Sequence, residues 1–71
     1  MSAAGPRIRV NGRALPLVAR DVAELVRELG LEGRSGIAVA VNGAVVRRAA
    51  WAERVLEAED DVELVGAAQG G

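Results

Sequence analysis

Two Asn-Gly dipeptides, Asn11-Gly12 and Asn42-Gly43, constrain this chain more than any other feature. A two-residue type I′ turn needs positive φ at both central positions, which asparagine and glycine tolerate best, and its twist suits paired strands. Ile8 and Val10 alternate with Arg7 and Arg9 ahead of the first pair, and Leu15 and Leu17 resume the alternation after it. Ile37-Ala38-Val39-Ala40-Val41 leads into the second pair, and Ala44-Val45-Val46 leads out. The pattern predicts two hairpins. Pro16 falls inside the second strand, and because proline cannot donate to a ladder, that strand belongs at a sheet edge.

One helix is expected between the hairpins. Asp21 with Glu24 three residues on resembles a capping box, and Val22, Leu25, Val26 and Leu29 recur at the spacing of one helical face. Gly30 stands where a left-handed residue would end a helix over roughly 22–29. After the second hairpin, Ala49 to Leu56 is too short for a full helix, but Trp51, Val55 and Leu56 suit one turn anchored on the core. Glu57-Ala58-Glu59-Asp60 is expected as an exposed acidic turn, and Asp61-Val62-Glu63-Leu64-Val65 alternates as a last strand. The order β-β-α-β-β-(turn)-β makes an α+β domain in which a mixed sheet packs one face on one helix. In the third strand Ile37, Val39 and Val41 point one way and Ala38 and Ala40 the other, so the second sheet face is apolar but small.

Seventy-one residues form one domain, since a chain this short buries only about 60% of the surface its unfolded form exposes. Residues 1–6 read as a disordered lead-in, 7–65 as the folded domain and 66–71 as a flexible tail. Trp51 is the only aromatic and is expected as a core plug, there being no second aromatic to form a stacking site with it. Cysteine and histidine are absent, as are lysine, threonine and tyrosine, so general bases and nucleophiles reduce to carboxylates and the hydroxyls of Ser2 and Ser35. An independent enzyme is hard to assemble from that inventory, and no thiolate metal site exists.

Other classes fall away on charge and hydropathy. The formal net charge is −1 with both signs dispersed, which gives no basic stripe for a nucleic acid. Arg47-Arg48 reads as solvated edge protection, and the carboxylates from Glu57 to Glu63 lack the spacing of a calcium loop. The longest apolar run, 37–41, is far short of the roughly 20 residues of a membrane helix. The first residues show no signal-peptide apolar region, and the expected location is the cytoplasm.

The remaining candidate is the end of the chain, Gln69-Gly70-Gly71. Two glycines make the narrowest possible thread and adopt φ values closed to other residues, which would let a terminal carboxylate enter a slot in another protein. Extended, the six residues from Gly66 reach about 20 Å at roughly 3.3–3.6 Å each. Ala38 and Ala40, on the sheet face away from the helix, are the candidate docking residues.

Five strands, one main helix and a terminal Gly-Gly resemble the β-grasp, or ubiquitin-like, fold. In that fold the first and last strands pair in parallel at the sheet centre and the second strand is an edge. More specifically, Gly36 to Gly43, Val45-Val46-Arg47-Arg48 with Trp51-Ala52, and Ala68-Gln69-Gly70-Gly71 are similar to the ThiS sulfur carriers of thiamine biosynthesis. Many of those chains have proline where Arg47 stands and begin directly at the first strand.

The resemblance implies a sulfur carrier, a protein cosubstrate with no catalytic residues and no bound cofactor of its own. A ThiF-like adenylating enzyme would spend ATP, with Mg, to make an acyl-adenylate on Gly71. Sulfur from a donor such as a cysteine desulfurase relay would convert it to a thiocarboxylate, and a ThiG-like thiazole synthase would receive the sulfur. Gly70 and Gln69 would thread into these partners. The alternatives are a carrier of another pathway, such as the small subunit of molybdopterin synthase, a protein modifier joined through Gly71, and a non-covalent ubiquitin-like adaptor.

Overall fold

The computed structural model describes residues 5–66. Its elements run β1 (Arg7–Val10), β2 (Arg13–Pro16), α1 (Val22–Glu28), β3 (Ile37–Val41), β4 (Ala44–Val46), a 3₁₀ helix (Arg48–Glu53) and β5 (Asp61–Gly66). Both hairpins form where the Asn-Gly pairs predict them. Asn11 and Gly12 have φ of 51° and 83°, and Asn42 and Gly43 have 53° and 84°, the left-handed values that a type I′ turn requires.

The five strands form one sheet in the order β2-β1-β5-β3-β4. β1 and β5 are parallel at its centre, and the other neighbours are antiparallel. This is the β-grasp arrangement. Pro16 ends β2, an edge strand, as its missing N–H demands. Pro6 is already tied in, since its carbonyl accepts from Leu17 N–H at 2.9 Å.

Helix α1 starts and stops where the sequence signals it. The Asp21 side chain accepts from Glu24 N–H at 2.9 Å. The return arm of the capping box is shifted by one residue, because Glu24 Oε1 accepts from Arg20 N–H at 2.7 Å rather than from Asp21. Gly30 takes φ of 76°, with Leu31 N–H on the Val26 carbonyl and Gly30 N–H on that of Arg27. Those two bonds are a Schellman motif, which satisfies carbonyls the helix end leaves open.

Val22, Leu25 and Val26 of α1 bury against Ile8, Val10, Val39, Val41 and Val62 of the sheet. Trp51 seals one end of this core, 7% exposed, with its indole N–H on the Val46 carbonyl at 2.9 Å. That contact fixes the 3₁₀ helix. Leu56 is buried as expected, whereas Val55 is 53% exposed and pairs with Asp21 in an isolated bridge. The acidic turn also departs from its expected exposure at one position. Asp60 is buried, its two oxygens accepting from Asn42 Nδ2 and Glu57 N–H, each at 2.9 Å. Arg48 is more than a solvated edge charge. Its guanidinium lies 4.8 Å from the Trp51 ring centroid and donates to the Arg34 carbonyl at 2.7 Å.

Candidate functional site: the end of the central strand and the outer sheet face

The chain's terminus leaves the fold from its middle. β5 lies between β1 and β3, so the last described residue, Gly66, is held in the sheet opposite Ile37. Both turn asparagines clamp this strand. Asn11 Oδ1 accepts Leu64 N–H and Asn42 Oδ1 accepts Asp61 N–H, each at 2.9 Å. Pairing along β3 as far as Gly66, with β1 alongside at Asp61 and Val62 and two further amides pinned, gives the C-terminal residues a fixed starting point. Gln69, Gly70 and Gly71, the predicted threading and sulfur-carrying residues, lie outside the described residues.

The sheet face turned away from α1 is built by alternation. Ala38 is exposed and Ala40 is half-buried on it, as their position in β3 predicts. Their cross-strand neighbours enlarge the surface. Val65 pairs with Ala38 and is 61% exposed, and Val45 pairs with Ala40 and is 78% exposed. Small alanines flanked by two exposed valines form a shallow apolar strip that crosses β4, β3 and β5. The strip is bordered by charge: Glu63 opposes Ala40, and Arg9 opposes Asp61 nearer β1.

Val45 and Val65 were not among the docking residues that the sequence suggested. The signal for Val45 was available, because a two-residue turn at Asn42-Gly43 fixes Val41 opposite Ala44 and therefore Ala40 opposite Val45. Val65 had no local signal, since its neighbour Ala38 is brought in by β3–β5 pairing across the chain.

Among the described residues no group of three or more Asp or Glu could hold a metal ion, and no helix is long and apolar enough to cross a membrane.

Comparison with known proteins agrees with this architecture. The sequence model of the ThiS family matches residues 8–71, a span that includes Gly70 and Gly71. The crystal structure of the thiamine biosynthesis protein ThiS from Geobacter metallireducens is similar, with a TM-score of 0.76 and 26% sequence identity, over 92% of this chain and 99% of that one. No curated protein matches the chain. On the family match and the shared fold, the chain belongs to the ThiS family, the small sulfur carriers of thiamine biosynthesis.

Proposed function

We propose that Gly71 is the sulfur-bearing residue and that the folded domain serves to present it. The family match running through the terminal Gly70-Gly71 pair carries this reading. A carboxylate resists nucleophiles until it is activated. A ThiF-like enzyme would transfer AMP from ATP to the Gly71 carboxylate, releasing pyrophosphate. Hydrosulfide would then attack the carbonyl carbon and expel AMP, leaving the thiocarboxylate. From a persulfide donor, the terminal sulfur would attack instead, and a partner thiol would cleave the resulting S–S bond, forming a disulfide and freeing the thiocarboxylate. That thiol comes from elsewhere, because the chain has no cysteine. The product is an anionic, polarisable nucleophile suited to delivery to a ThiG-like thiazole synthase. As with other group carriers, the chemistry belongs to the partners.

The outer strip of Ala38, Ala40, Val45 and Val65 is the docking surface in this reading. Small side chains permit close approach, and the two exposed valines bury apolar area on contact, which favours association at about 25 cal/mol per Å² before ordering costs. Incubation with the adenylating enzyme, ATP and sulfide tests the reading by intact mass. An oxygen-to-sulfur exchange at the C-terminal residue is expected. An isopeptide adduct would instead make the chain a modifier, and an unchanged mass would make it an adaptor.

A further inference from the structure

The central strand β5 outlasts its neighbour β1. Arg9 pairs with Asp61 and Val10 with Val62, and there β1 ends. β5 continues to Gly66 along β3 alone. Backbone groups of successive strand residues point to opposite sides. The Asp60 and Val62 carbonyls face β1, accepting from Arg9 and Asn11 N–H at 2.9 and 2.8 Å. Leu64 N–H faces the same way, onto Asn11 Oδ1. The alternation therefore turns the Leu64 carbonyl and the Gly66 N–H into the space beyond β1, where no strand lies opposite them among the described residues.

This open edge forms one wall of a groove of about 550 Å³. Leu15, Leu29, Leu31 and Ile37 line it, with Arg13 and Arg34 beside them and no carboxylate. Neither arginine makes an ion pair among the described residues. A backbone edge, aliphatic lining and two cations occur together at the point where the chain leaves the sheet.

We propose that this notch receives an extended segment of the adenylating partner, added as a short strand along Leu64–Gly66, with an aliphatic side chain in the groove and a carboxylate against Arg13 and Arg34. The inference rests on the carrier reading above for the identity of the partner. Main-chain pairing supplies affinity and side-chain pockets supply specificity in this mode of recognition. A second copy is a poorer occupant, because a two-fold contact would set Arg13 and Arg34 against their own equivalents. The chain's own Ala67-Ala68-Gln69-Gly70-Gly71 offers no aliphatic group larger than a methyl to fill the groove. A partner strand here would run beside the exit of β5 and lower the ordering cost of seating the terminal residues.

Gly66 provides a clean test. Its N–H does not serve the β3 ladder, and a Cβ added there would meet only Ile37 Cδ1 at 3.8 Å, an ordinary contact. Gly66→Ala keeps the donor and Gly66→Pro removes it. With the purified adenylating enzyme, Gly66→Pro should bind about three- to tenfold more weakly than Gly66→Ala, the loss of one hydrogen bond. The double variant Arg13→Glu, Arg34→Glu should also weaken binding. Saturating enzyme should slow amide exchange at Gly66 while leaving Val65, already paired with β3, nearly unchanged. Equal affinity of the Pro and Ala variants, or a Gly66 amide that stays unprotected with enzyme present, overturns the proposal. Protection in the free protein also overturns it, pointing to a second copy if it grows with concentration and to the chain's own end if it does not. Thiocarboxylate formation by the unaltered chain in the same reactions judges the carrier reading separately. Sulfur transfer with an unprotected Gly66 removes only the added strand, and protection without sulfur transfer removes only the carrier.

Discussion

Asn42 shows how much one residue does in a chain with so thin a core. Its φ of 53° makes the turn. Its Nδ2 donates to buried Asp60, its Oδ1 accepts Asp61 N–H, and its own N–H reaches the Asp61 carbonyl at 2.7 Å. Two variants separate these roles. Asn42→Gly keeps the left-handed backbone and deletes the side-chain bonds, which should cost about 1–3 kcal/mol because an Asp60 oxygen loses its partner. Asn42→Ala should cost about 1 kcal/mol more, from placing an ordinary side chain at positive φ. Urea unfolding measures both, and a glycine variant as stable as the parent would show the bonds to contribute nothing. The turn was legible in the Asn-Gly pair itself. The bond to Asp60 was not, since the partner lies eighteen residues away and only the sheet brings it close. The same contact explains why Asp60 is buried within a segment that reads as a solvated acidic turn.

Elements were legible in proportion to how local their causes are. Both ends of α1 depend on residues within one turn of them, Asp21 at the start and Gly30 at the stop. Asp21→Ala should destabilise the domain by about 1 kcal/mol through the lost cap. Gly30→Ala should cost about 1 kcal/mol through its positive φ, since nothing crowds a Cβ there. The two sites are at opposite ends of the helix, so thermal or urea unfolding of the double variant should give nearly the sum of the two. The 3₁₀ helix had only Trp51 as a signal, and its extent is set by the indole bond to Val46 and by Arg48 over the ring. β5 reads as ending at Val65 because glycine disfavours strands, yet it includes Gly66. Pairing of that residue with Ile37, far off in sequence, overrides local propensity.

The whole molecule is a sheet with two dissimilar faces and a chain end leaving from its centre. One face builds the core with α1, and the other carries the strip of Ala38, Ala40, Val45 and Val65. Fold class was readable because hairpins, one capped helix and an edge proline leave few topologies open, whereas the parallel pairing of the first and last strands was expected from the family resemblance alone. The outer strip was only half readable, because alternation gives the face of each residue but not its cross-strand neighbours. Ala40→Arg should cost no more than about 1 kcal/mol, since Ala40 is half-buried on the outer face with Glu63 opposite to pair the new charge. Binding to the adenylating enzyme should weaken, which titration calorimetry would read, and unchanged affinity would assign docking to another surface.

Deleting the last residue separates the sulfur-bearing role proposed for Gly71 from any part it plays in stability. The described core and all five strands lie within Arg7–Gly66, so deleting Gly71 should leave the unfolding midpoint unmoved. The shortened chain still ends in a carboxylate, on Gly70, but that group would stop about 3.3–3.6 Å short of the nucleotide, enough to defeat a near-attack geometry. The measurement is the rate of thiocarboxylate formation, followed by intact mass, with the adenylating enzyme, ATP and sulfide. Full-length chain should gain sulfur while the deletion variant stays unmodified at equal stability; a variant charged as fast as the full-length chain would contradict the role assigned to Gly71.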